Sequence, residues 1–108
     1  MTEDFEYTQV DPATVIKRFH NRDYKNVIVH AVRFTGENAN DLRVFLGPRL
    51  AINMREGSPI FGLIDQRSES VIRIKKGNWV FQLESSNPNN FFVWKHKSFK
   101  KTYKPVKE

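Results

Sequence analysis

Asn26-Val27-Ile28-Val29-His30-Ala31-Val32-Arg33-Phe34 is dense in β-branched residues, and its apolar side chains fall on both sides of an extended backbone. Successive side chains of a strand point to opposite faces, so a strand of this composition has to be covered twice, which places it near the centre of a sheet. Thr35-Gly36 then turns the chain. Asn38 stands at a capping position with Asp41 three residues on, Leu42, Phe45 and Leu46 share one face, and Gly47-Pro48 supplies a stop. The spacing predicts a short amphipathic helix over about 39–46, laid on the sheet.

On the upstream side, Asp11-Pro12 followed by Val15, Ile16 and Phe19 has the form of a helix start, because an Asp side chain can accept from free amides and Pro at the first helical position loses no hydrogen bond. A short helix over about 12–20 is expected. Downstream, Leu50, Ile52 and Met54 alternate with Ala51, Asn53 and Arg55; Glu56-Gly57-Ser58-Pro59 interrupts, and Ile60-Phe61-Gly62-Leu63-Ile64 follows. Two strands joined as a hairpin fit this pattern. Three more strands are expected at 70–74, 79–83 and 91–94, separated by Lys75-Lys76-Gly77-Asn78 and by the polar run 85–90. Ser98 is placed to cap a single turn that sets Phe99 and Tyr103 four apart on one face, pinning the tail to the core. The expected fold is α+β: a single domain with one antiparallel-rich sheet and two or three short helices.

The 108 residues suit one domain, and 39% hydrophobic residues with nine Phe, three Tyr and two Trp suffice for a core. With no cysteine, disulfides, zinc–thiolate sites, iron–sulfur clusters and thiol catalysis are excluded. Residues 1–12 carry four acids and no base, and contain no apolar run. No secretory or transit peptide is therefore expected; no apolar stretch approaches the ~20 residues that span a bilayer, so no membrane span is expected either, and the chain is placed in the cytoplasm. Most of the net charge of +6 lies at the other end, where residues 95–108 hold six lysines against Glu108 alone. Such asymmetry favours a polyanionic partner, although a lysine-rich tail is more commonly a solvated surface.

Taken together, Val29–Asn38 (VHAVRFTGEN), Asp41–Gly47 (DLRVFLG), Ile72–Leu83 (IRIKKGNWVFQL) and Ser98–Val106 (SFKKTYKPV) resemble a group of small phage and prophage proteins. That group has a strand ending Ala-Val-x-Phe/Trp-Thr-Gly, a helix ending Phe-Leu-Gly, a Gly-Asp-Trp/Tyr strand and a closing Phe-x-x-Thr-Tyr-x-Pro-Val. The resemblance spans about residues 27–106. It divides the chain into an N-terminal extension, 1–26, with its short helix, and an α+β core, 27–108, with the basic tail. Asn78 stands where the relatives carry Asp, and lysines occupy closing positions that are often acidic among them. The resemblance implies a phage accessory product in the host cytoplasm, with no activity common to the group.

His20, His30 and His96 each lack a second ligand at metal spacing, no glycine cluster opens a helix, and the serines sit in turn-like settings without a nucleophile elbow. No catalytic residue, metal site or cofactor is expected, and the protein is read as a non-enzyme. His30, on the central strand, is expected to be a hydrogen-bonded structural histidine. One constellation carries chemistry: aromatic residues alternating with lysines over 91–104, a combination that binds single-stranded nucleic acid by stacking on bases and neutralising phosphates. Phe91, Val93 and Trp79 are expected on a buried sheet face, with Phe92 and Trp94 as an exposed pair on the other. Lys95, Lys97, Lys100, Lys101 and Lys104 would frame that pair, and Arg73, Lys75 and Lys76 would extend the patch. The first functional expectation is a monomeric or homodimeric protein that binds a host protein, a defence component or a small nucleotide ligand. The second is a nonspecific nucleic-acid binder using the basic aromatic surface.

Overall fold

The computed structural model describes residues 16–65, 68–84 and 90–106. Strand β2 (Ile28–Arg33) is the middle member of a five-stranded antiparallel sheet built with β1 (Lys17–Asn21), β6 (Trp79–Leu83), β7 (Phe91–Trp94) and β8 (Tyr103–Pro105), in the order β7-β6-β2-β1-β8. A second antiparallel sheet contains β3 (Leu50–Arg55), β4 (Ser58–Ile64) and β5 (Val71–Ile74), in that order. Among the described residues the helices are α1 (Ala39–Leu46), followed by a single 3₁₀ turn over Gly47–Arg49, and α2 (His96–Thr102). The fold is a single α+β domain, with two sheets where one was expected. The 3₁₀ turn after α1 redirects the chain, so the β3–β4 hairpin pairs with β5 and packs across the larger sheet instead of extending it.

As its composition demands, β2 is buried on both sides. Val29 and Ala31 face a cluster with Phe19, Phe81, Phe99 and Tyr103, against which Trp79, Leu83 and Trp94 pack. Val32 faces the other way, into Val80, Phe34, the α1 residues Leu42, Phe45 and Leu46, and Leu63 and Ile74 of the small sheet. The molecule is therefore layered: α2, then the five-stranded sheet, then α1 with the three-stranded sheet. Rings carry much of the packing, with Phe99 stacked on Trp79 at 4.3 Å and edge-on to Phe19 at 5.0 Å. Such pairs contribute about 0.5–1.5 kcal/mol each beyond the area they bury.

Over 17–20 the helix expected across 12–20 is replaced by strand. Residues 12–15 lie outside the described residues, and 17–21 are β1, which sits between β2 and β8 with Phe19 opposite both Val29 and Pro105. A nine-residue helix is marginal by itself. Extended backbone between two partner strands satisfies its polar groups on both edges, and Phe19 alone enters the core. The segment read as an extension thus contributes an interior strand. Only Glu56-Gly57 turns the β3–β4 hairpin, both with φ > 0 as a two-residue primed turn requires; Ser58 and Pro59 already belong to β4.

Asn38 does stand at the N-cap of α1; its side chain caps no helix amide but donates to Asp41 Oδ2 in the first turn, at 3.0 Å, and otherwise serves the preceding turn. Its Oδ1 accepts from the Thr35 N–H at 2.7 Å, and its Nδ2 donates to the Arg33 carbonyl at 2.8 Å. Asn78 supplies the oxygen that an Asp would: its Oδ1 accepts from the Lys75 N–H at 2.8 Å and closes the β5–β6 turn. Ser98 caps nothing, because α2 starts earlier, with Lys95 as its N-cap.

Candidate nucleic-acid interface

Helix α2 crosses the outer face of the five-stranded sheet and is held by its apolar side. Phe99 is fully buried, and Tyr103, where the chain passes into β8, is nearly so; that burial pushes the Tyr103 hydroxyl above its ordinary pKa. Sequence spacing distributes the remaining side chains. Lys95, Ser98 and the adjacent Lys101 and Thr102, the last two three and four residues after Ser98, line an open groove of about 510 Å³ with Val93 and Trp94 of β7. Strand β7 is an edge strand of its sheet. Lys97 and Lys100 are exposed and Lys104 is half-buried. Among the described residues the ion pairs join Arg18 and His30 to Glu84, at 3.2 and 2.9 Å, and none involves a lysine of α2 or its flanks. Lys95, Lys97, Lys100, Lys101 and Lys104 therefore lie on one short segment with no carboxylate among the described residues neutralising them.

The expected aromatic pair is divided by the structure. Because β6 and β7 pair Trp79 with Trp94 and Phe81 with Phe92, these four share one sheet face, and Phe91 and Val93 lie on the other. Trp79 is thus on the α2 side, not on the face of Phe91 and Val93 where it was expected, and it is partly buried. Trp94 is not free either: it packs edge-on against Phe81 at 5.0 Å and against Tyr103 at 5.8 Å. Phe92 remains 39% exposed. One side of its ring stacks on Phe81 at 5.4 Å and 29°, which leaves the other side to solvent.

Of the three cations expected to extend the patch, Arg73 does not. It alternates with the buried Ile74 and lies opposite Gly62, on the outward side of the small sheet. Lys75 and Lys76 occupy the β5–β6 turn, the Lys76 stem lying against Gly36. What connects this turn to α2 is Arg33, which no sequence pattern marks as a site residue. Arg33 pairs with Trp79 across β2 and β6 and so points to the α2 face. Its Nη2 lies 3.9 Å from where a Cβ on Gly77 would stand.

His96 likewise joins the site only in the folded chain. The indole Nε1–H of Trp79 donates to His96 Nδ1 at 2.9 Å, and the two rings are nearly parallel. Partial burial, followed by the positive charges of Arg33 and Lys100, lowers the His96 pKa below its ordinary 6.5. The signal in the sequence is the spacing of His96 four residues before Lys100; the Trp79 contact depends on a register that no local pattern encodes.

Elsewhere, His30 is a half-buried face histidine hydrogen-bonded to Glu84, as expected of it. Among the described residues no three His, Cys, Asp or Glu side chains gather as a metal site would need, and no helix is long and apolar enough to cross a membrane. No family model, curated protein or solved structure matches the chain.

Proposed function

We propose that this protein acts by binding rather than by catalysis, and that its working surface is the lysine face of α2 with the adjoining edge of β7, which takes an unpaired strand of nucleic acid. The observation that carries the reading is the set of five lysines on α2 and its flanks, two of them, Lys95 and Lys101, lining the Trp94 groove, with no ion pair among the described residues. Unneutralised cations on one face release counterions when a phosphate backbone replaces them, and this is the main source of sequence-independent affinity. Phe92 supplies the second element of single-strand binding, a ring with one side packed and the other open for a base. Through its resemblance to phage proteins, the proposal extends to an accessory role in a host cytoplasm.

A host or defence protein as partner is the second reading, favoured by a different surface. Ile52, Met54 and Ile72 lie on the core-facing side of the small sheet, the side of the buried Leu63 and Ile74, and stay exposed at its margins, apolar groups of the kind that mark protein contacts. Fluorescence anisotropy with labelled single- and double-stranded DNA and RNA, at low and high salt, separates the two. The proposal expects binding to single strands that weakens steeply with salt; an apolar protein interface would leave the oligonucleotides unbound.

A further inference from the structure

Trp79 fixes more than the position of His96. Since the indole nitrogen can only donate, the His96 Nδ1 it contacts at 2.9 Å has to be the unprotonated nitrogen, and the neutral ring carries its hydrogen on Nε2. Two cations share this corner of the sheet. Arg33 arrives from β2 through its cross-strand pairing with Trp79, and Lys100 arrives one helical turn after His96 on the same side of α2. Neither forms an ion pair among the described residues. The corner therefore presents three hydrogen-bond donors of three geometries: an imidazole N–H, a planar guanidinium fork and an ammonium.

We infer that His96 Nε2–H, the Arg33 guanidinium and the Lys100 ammonium form an oxyanion site that seats one phosphate of the bound strand. The inference rests on the nucleic-acid reading for its source of phosphate, while the site itself consists of side chains outside the Trp94 groove. A phosphate has enough oxygens to engage all three donors at once, the guanidinium taking two of them in parallel. Protonating His96 at Nδ1 would cost the Trp79 hydrogen bond, so the ring serves as a neutral donor held in one tautomer, and the two cations supply the charge. The charges of Arg33 and Lys100 both act on the His96 ring, lowering its basicity. The site lies beside the turn bearing Lys75 and Lys76, and so gives a strand leaving α2 a path toward those lysines.

The test uses the full chain and nuclear magnetic resonance of the His96 ring. Two-bond nitrogen–proton spectra are expected to show the Nε2–H tautomer. Added inorganic phosphate is expected to shift the His96 signals saturably, where chloride of equal ionic strength does not. In the double variant Arg33→Gln, Lys100→Gln, both positions being exposed, the apparent phosphate affinity should fall several-fold, with Lys25→Gln as an unaffected control. For a labelled oligothymidylate, the same double variant should flatten the salt dependence by about 0.7 for each phosphate no longer engaged. Comparing oligomers with and without a 5′-phosphate tells a chain phosphodiester from a terminal phosphate as the occupant.

A His96 signal that responds to phosphate no more than to chloride overturns the site, whether or not the oligonucleotide binds. So does a polyglutamate peptide that shifts it as strongly as the oligonucleotide. A saturable phosphate response, abolished in the double variant, supports the site even if no oligonucleotide binds; only the strand reading then falls.

Discussion

Phe92 and Phe99 illustrate how side chains of one kind are given different tasks by their neighbours. Phe99 is fully buried, in ring contact with Phe19, Trp79, Phe81 and Tyr103, so Phe99→Ala should cost about 3–5 kcal/mol in a denaturant titration, as other core aromatic truncations do. Phe92→Ala should cost markedly less stability yet lose about 1–3 kcal/mol of affinity for single strands in anisotropy, with a smaller change for duplex. His96 gives the molecule a pH dependence whose sign follows from its lowered pKa. Between the folded value and the ordinary 6.5 the unfolded chain binds more protons, so the contribution of His96 to stability is present above 6.5 and is lost as pH falls from there through the folded value. Unfolding midpoints at about pH 8 and about pH 5 should therefore differ more for the native chain than for His96→Gln.

Among the elements, β1 separates what local sequence can decide from what it cannot. The two-sided apolar run of β2 and the stop after α1 are local and were legible, as were the alternations of β3 to β7. Val15, Ile16 and Phe19 fit a helical stripe as well as they fit a strand with Phe19 inward, and only the free edges of β2 and β8 decide between them. Strand β1 begins at Lys17, downstream of residues 1–10, and deleting those ten should leave a cooperative thermal transition. Deleting residues 1–21 should abolish it, since β2 and β8 would lose the strand between them; a cooperative transition in the longer truncation would contradict the interior placement of β1. Register had the same effect on the candidate site. That Trp79 lies opposite Trp94 moved Trp79 to the α2 face, confined Trp94 and left Phe92 as the exposed ring, none of which either strand reveals separately.

On the scale of the whole molecule, charge and architecture act together. The sheet holds α2 through the buried Phe99 and Tyr103 and leaves Lys95, Lys97, Lys100 and Lys101 outward, so the lysines of the tail become a cationic face. The lysines of that face were legible because charge is additive along a sequence. Arg33, which links the face to the β5–β6 turn, was not, because it reaches the patch from a distant strand. The most direct test of the central claim is the salt dependence of oligothymidylate binding by the native chain and by a variant with Lys97, Lys100, Lys101 and Lys104 replaced by Gln. The native chain should bind, and the variant should show a salt slope smaller by about 0.7 for each phosphate that a lysine had neutralised, close to three in all if every lysine touches one. Equal slopes for the two proteins, or no binding by the native chain at the lowest salt, would contradict it.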